Sequence, residues 1–405
     1  MRTRRILPAG TVYLAMEGVW GLLFYLVATT AAVYRIIQAE LNGFELVLVG
    51  TVLEGTTLIF EVPTGVVADA ISRRLSVLVG TFLTGFGFML EGSIPSLLPI
   101  LFAQVLLGIG YAFISGADVA WITDEIGEER ARPLYLRGAQ LSQLTALVGI
   151  AGSVGLASIS LGMPLQVAGA GAIALGLFLA VAMPEEGFRP HKGVNRTAGD
   201  FLRPFVNARG ALRRRPILLA ILGVAALHGM SSEGFDRLWA LQVIRNLRLP
   251  AVGELDRVVW FGVIQGVGLI LAIAATELVR RRITLSTHEG AARAVAVINA
   301  LLIVAVVAFA NTGQFLVALV CLWMITMLRE LNMPIYTTWI NQDLDPVSRA
   351  TVNSIGSQVD ALGQVAGGPL LGWLAVARSV PAAITVAGLV RAPSLLVFAR
   401  KREHR

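Results

Sequence analysis

The sequence predicts an all-α integral membrane protein, with twelve transmembrane helices arranged as two pseudo-symmetric six-helix bundles. Three observations predict it. A mean hydropathy of +0.73, with 56% hydrophobic and 15% charged residues over 405 positions, is too apolar for a water-soluble domain. The apolar residues fall in twelve runs of roughly twenty, the length that crosses a bilayer as a helix. One extended basic segment, rich in Arg, Gly and Pro, divides those runs six and six.

In order, the runs lie at about 11–36, 45–67, 75–93, 97–122, 134–160, 164–183, 216–245, 257–279, 292–310, 314–340, 351–377 and 380–399, each bounded by Gly, Pro or charge. Met1-Arg2-Thr3-Arg4-Arg5 ahead of the first run resembles a signal-peptide start. The apolar stretch continues to about Ile37 without a small-residue cleavage site, so it reads as an uncleaved first helix. The N-terminal Arg cluster, Arg73, Arg74, Arg130, Arg132, the stretch from Arg189 to Arg215, Arg280–Arg282, Arg349 and the tail Arg400-Lys401-Arg402 alternate onto one side. Under the positive-inside rule that side is the cytoplasm, which places both termini inside and the protein in the inner (plasma) membrane. The division expected is an N-terminal bundle at 1–183, a cytoplasmic basic linker at 184–215 and a C-terminal bundle at 216–405. The linker's charge is accounted for by orientation, and so is most of the net charge of +7, which leaves no call for a nucleic-acid partner. A single cysteine, Cys321, lies within an apolar run and excludes a disulfide framework or a Cys-based metal site.

The two halves share sparse matches. Trp121, Gly138-Ala139-Gln140 and Gly149 are answered 218 residues later by Trp339, Gly356-Ser357-Gln358 and Gly367, and Glu17-Gly18 by Glu233-Gly234. A common spacing of about half the chain is what a duplicated six-helix unit gives.

Polar residues within the runs locate the site. A charge at the bilayer centre costs about 2.5–3.5 kcal/mol, so each is expected to face a bundle interior or a watery cavity. The candidates are Glu17, Trp20, Glu54, Glu61, Asp118, Glu233, Asp236, Arg237, Gln265, Arg329, Glu330 and Asp360, with His228 the one histidine inside a run. Runs 3, 6, 9 and 12 hold almost nothing ionisable away from their ends except Arg391. Glu54 and Glu61, seven apart, share a helix face and suit cation or proton handling. Arg237 is placed to neutralise Glu233 one turn away, leaving Asp236 as a spare negative charge. Arg329 and Glu330 point about 100° apart and look for partners on other helices, with Asp360 the expected partner of Arg329. Tyr13, Glu17, Trp20, Gly21 and Phe24 form an aromatic and acidic stripe suited to a cationic or amphipathic organic molecule. Tyr111, Ser115 and Asp118 are expected on one face of the fourth helix, with Asp124 and Glu125 contacting Arg130, Arg132 or Arg137.

Between the second and third runs stands Gly65-Val66-Val67-Ala68-Asp69-Ala70-Ile71-Ser72-Arg73-Arg74, in which small residues permit close helix approach, Asp69 is placed as a helix cap and the arginines anchor a membrane boundary. Gly65, Asp69, Arg73 and Arg74 resemble the loop between helices 2 and 3 of the major facilitator superfamily. The resemblance implies that fold, a gating role for those four residues, and lipid-facing positions for helices 3, 6, 9 and 12. It is nearest to bacterial drug and metabolite exporters, with departures: where proton-coupled exporters carry an Arg before a Gly-x-Gly of helix 4, this chain has Gln104. Helix 5 has Gly149, Gly152 and Gly155 but no proline.

The expected function is secondary active transport by alternating access, as proton-coupled export of hydrophobic or cationic small molecules, with the proton gradient as energy source, no cofactor, no metal, and a monomer working in the lipid bilayer. Import by the same fold fits nearly as well. A polytopic membrane enzyme is the reading from another class; the sequence shows no metal-ligand spacing, phosphate-binding glycine loop or nucleophile elbow to favour it.

Overall fold

The structure, a computed structural model, describes residues 7–190, 216–250, 256–282, 288–341 and 346–399. The N-terminal Arg cluster, most of the linker and the tail Arg400-Lys401-Arg402 lie outside the described residues, as do the side chains of Arg280–Arg282 and Arg349. Among the described residues the regular structure is helical throughout: α1 (Ala9–Ala28), α2 (Ala31–Ile37), α3 (Gly43–Ala70), α4 (Arg73–Ser93), α5 (Leu97–Ile114), α6 (Ala117–Ile126), α7 (Glu128–Ala157), α8 (Met163–Ala182), α9 (Pro216–Asn246), α10 (Asp256–Arg282), α11 (His288–Asn311), α12 (Phe315–Asn341), α13 (Pro346–Ala377), α14 (Val380–Leu389) and α15 (Ala392–Ala399). Among the described residues, eleven segments are long and apolar enough to cross a membrane. The 31-residue α9, which carries His228, Glu233, Asp236, Arg237 and Arg245, occupies the place of the seventh run.

Three predicted runs are each two helices. The first breaks at Thr29–Thr30, where the Thr29 hydroxyl turns back onto the Tyr25 carbonyl and the Thr30 hydroxyl meets Ser153 at 3.0 Å. The fourth breaks at Ser115–Gly116: Gly116 adopts φ +76°, a conformation that costs other residues roughly 1–2 kcal/mol. The shared face expected for Tyr111, Ser115 and Asp118 therefore does not exist, and Asp118 sits instead in the first turn of α6. The last run breaks at Val390–Arg391. Two helices start earlier than hydropathy predicts. α7 begins at Glu128, with Glu128 and Glu129 complementing its N-terminal dipole, so Arg130, Arg132 and Pro133 are helical. α13 begins at Pro346, a residue suited to a first helical position.

The chain divides into two compact units, one of Met1–Leu41 with Val52–Phe201 and one of Asn42–Thr51 with Leu202–Arg405. In the first, α1 packs on α7 and α8, α4 lies against α5 and α8, and α6 touches α1, α4 and α7. In the second, α9 packs on α13 and α14, while α11 lies against α12, α14 and α15. First span against fifth, third against fourth, third against sixth: the same pairings occur inside both units. Small residues set the separation. A Cβ at Gly149 would fall 2.4 Å from the Leu22 carbonyl oxygen, and one at Gly367 would fall 3.0 Å from the Met230 Cα, so α1–α7 and α9–α13 are closed by glycines 218 positions apart. The core of the first unit gathers Val12, Met16, Trp121, Ile122, Leu179 and Met183, and the Trp121 indole N–H donates to the Pro184 carbonyl at 2.6 Å.

Candidate functional site

In the first unit, α1, α6 and α7 bring together acids and aromatic rings. Tyr13 and Glu17, one turn apart on α1, lie within electrostatic range of one another, as do Glu17 and Asp118. Tyr135 of α7 stands edge-on to Tyr13 with centroids 6.1 Å apart, its hydroxyl paired with Thr123. Gly138 of α7 faces this group: a Cβ there would lie 3.0 Å from both the Glu17 Cγ and the Tyr13 ring. The Trp20 indole nitrogen is buried without a hydrogen-bond partner among the described residues. The expected stripe on α1 is shorter than its spacing suggests. Gly21 is taken up by close contact with Ser142, and Phe24, 50% exposed, meets the Tyr25 ring edge-on.

Glu54 is half-buried on α3 and Glu61 is exposed. They stand two helical turns, about 10.5 Å, apart along the axis. α3 is tied to α5 by the Thr64 hydroxyl, which donates to the Ala112 carbonyl at 2.9 Å.

The motif between α3 and α4 is built differently from its sequence reading. Ser72, not Asp69, caps α4, accepting from the Leu75 N–H at 2.9 Å. Glu185, beyond α8, accepts from the Ser72 hydroxyl at 2.7 Å and the Arg74 N–H at 2.9 Å, and the Arg74 guanidinium reaches the Ala180 carbonyl. Arg73 pairs with Asp124 of α6 at 3.2 Å and lies 3.9 Å from Asp69. Asp124 thus finds Arg73 rather than Arg130, Arg132 or Arg137, and Glu125 accepts from the N–H groups of Glu186 and Gly187. A Cβ at Gly65 would meet nothing within 4 Å, so Gly65 is not a close-contact position here. Sequence reasoning missed one strong centre. Glu91 is fully buried, with Arg35 of α2 on one oxygen at 2.6 Å and Gln104 of α5 on the other at 2.8 Å.

In the second unit, Glu233 is 2% exposed and pairs with Arg237 at 3.0 Å, as the spacing predicts. Asp236 is not left as a spare charge. Arg329 grips both its oxygens, the second at 3.1 Å, and lies 5.3 Å over the Phe235 ring. The expected Arg329–Asp360 pair is therefore replaced. Asp360 meets His228 Nδ1 at 2.9 Å and accepts from Gln364 at 2.9 Å. Glu330 is exposed, and Gln265, half-buried on α10, has no hydrogen bond among the described residues. His228, Asp360, Asn299, Asn332, Tyr336 and Arg391 line a cavity of about 440 Å³ inside this unit. Arg391 stood out in sequence as an ionisable residue in an apolar run; Asn299 and Asn332 carried no comparable signal. Among the described residues no three His, Cys, Asp or Glu side chains converge as a metal site.

A family model described as Major Facilitator Superfamily matches residues 11–368. The chain belongs to the Major Facilitator Superfamily. It is 20% identical over 357 residues to the uncharacterised MFS-type transporter YxaM of Bacillus subtilis (strain 168), covering 87% of this chain and 86% of that one. Solved structures share the fold at low identity. The nucleoside transporter NupG superposes with a TM-score of 0.72 at 14% identity, over 98% of this chain and 100% of its own. A bacterial homologue of the human lysosomal transporter Spinster gives 0.73 at 14% over 96% and 95%. A POT family transporter in complex with a thioalcohol-conjugated peptide gives 0.72 at 13% over 96% and 94%. Membership of that family makes the chain a multi-pass membrane transporter of the alternating-access kind, and the solved structures share its fold.

Proposed function

We propose that this superfamily member exports hydrophobic or cationic small molecules in exchange for protons, acting as a monomer in the inner membrane with both termini cytoplasmic. The observation that carries this reading is the cluster of Glu17, Tyr13, Asp118 and Tyr135, with Trp20 one turn further along α1. Two carboxylates within electrostatic range of one another lie beside aromatic rings, and among the described residues no cation enters the surroundings of either. A cation placed against such rings and acids gains stacking, cation–π and Coulomb attraction together. The same carboxylates can hold protons once the cation leaves, which couples the two without any bound cofactor, the proton gradient supplying the driving force. In the second unit, by contrast, Glu233 and Asp236 are each neutralised by an arginine.

The test is transport of a panel of lipophilic cations in proteoliposomes, with and without an imposed proton gradient, comparing the native chain with Glu17→Gln and Glu61→Gln. Gradient-driven efflux that falls by about tenfold or more in Glu17→Gln, and is retained in Glu61→Gln, is expected. Cation movement with the gradient rather than against it would make the protein an importer. Folded protein that moves no cation, or Glu17→Gln at the native rate, would overturn the reading.

A further inference from the structure

The second unit holds a cavity whose chemistry is opposite to that of the acid–aromatic cluster. It is lined by α9, α11, α12, α13 and α15. Its volume of about 440 Å³ is within the range of small-molecule sites. Arg391, 4% exposed, projects its guanidinium among these helices: Nε donates to the Ser231 hydroxyl at 2.9 Å and Nη1 to the Asn299 oxygen at 3.4 Å, while Nη2 is buried with no partner among the described residues. Asn299 is held in turn by donating to Asn332 at 3.0 Å. Among the described residues no carboxylate lies within ion-pair distance of Arg391. A buried guanidinium with unmet donors is costly unless an anion completes it. The Tyr336 hydroxyl, also lining the cavity, is a second buried group without a hydrogen bond among the described residues. The one acid in the wall, Asp360, already has both oxygens engaged, by His228 and Gln364. Ile221, Val224, Ile340 and Phe398 supply an apolar wall.

We propose that this cavity binds an amphipathic organic anion, with a carboxylate or phosphate head on Arg391 and Tyr336 and an apolar body along Ile221, Val224, Ile340 and Phe398. Such a head takes up the open guanidinium face in charge-assisted hydrogen bonds, and the body fills space that water would occupy poorly. The site shares no residue with the one proposed for cations.

The full chain, in nanodiscs of zwitterionic lipid, is titrated with octanoate, octyl phosphate, octanol and octylamine, with binding read by calorimetry and by the shift in melting temperature. Octanoate and octyl phosphate are expected to bind at least about tenfold more tightly than octanol or octylamine. Arg391→Gln removes that preference. Two further variants guard against misfolding. Tyr336→Phe deletes a hydroxyl that has no hydrogen bond among the described residues and weakens octanoate by about threefold. Gly356→Leu, at a lining position where an added Cβ meets nothing within 4 Å, fills the cavity and abolishes binding while the melting temperature is kept. Glu17→Gln leaves octanoate binding unchanged, whatever it does to cation transport. If phosphatidylglycerol in the nanodisc suppresses octanoate binding, the occupant is a membrane lipid head; if it does not, the occupant is a water-soluble amphiphile, and either supports the site. Octanol binding as tightly as octanoate, or Gly356→Leu binding octanoate like the native chain, would overturn the proposal.

Discussion

Glu91 and Glu17 are both acids on spans of the first unit, and their neighbours separate a structural role from a functional one. Glu91 is fully buried between Arg35 and Gln104, so removing one partner strands a charge. Arg35→Gln is expected to destabilise the protein by about 3–5 kcal/mol, whereas Arg132→Gln, whose pair with Glu128 is mostly exposed, leaves stability close to native. Thermal unfolding of both variants in detergent checks this; equal melting temperatures would contradict it. The acids, cations and aromatics of the candidate site were legible one at a time, because a polar residue in an apolar run is visible without a structure. Pairs within a helix were legible too, as Glu233 and Arg237 show. Pairs across helices were not. Arg329 chooses Asp236 over Asp360 because the choice depends on how α9, α12 and α13 rotate against one another, and periodicity is silent on rotation.

At the scale of elements, hydropathy located every span but not its breaks. A run of apolar residues reports length, while the turns at Thr29–Thr30, Ser115–Gly116 and Val390–Arg391 depend on single dihedral angles and on hydroxyl or glycine chemistry. The break at Gly116 matters most for the site, since it delivers Asp118 to the first turn of α6 instead of the flank of a long helix. Helix contact follows small residues closely enough to predict. Gly149 and Gly155 lie on the same helix, α7, but only Gly149 is pressed against α1; a Cβ at Gly155 would meet nothing within 4 Å. Gly149→Val should therefore lose about 1–3 kcal/mol of stability and shift α1 away from α7, with Gly155→Val close to native. Unfolding in detergent, with transport of each variant, measures the difference.

For the whole molecule, the same helix pairings recur inside each unit, the arrangement that the sparse matches between halves lead one to expect. What sequence alone could not supply was which residues each copy still uses in common. Orientation is open to direct measurement: on a Cys321→Ser background, single cysteines at Thr3 and His404 should react with an impermeant maleimide only after the cytoplasmic face is exposed, and labelling of either in intact cells would reverse the assignment. Gly138 and Gly356 carry the duplication furthest. They are sister positions 218 residues apart, yet one is crowded by Glu17 and Tyr13 and the other opens onto the Arg391 cavity. Descent from one ancestral pocket would have left two heirs, one furnished with acids and rings and the other with a cation. Selection can then retune the chemistry of either heir while the helix scaffold that both inherited stays as it was.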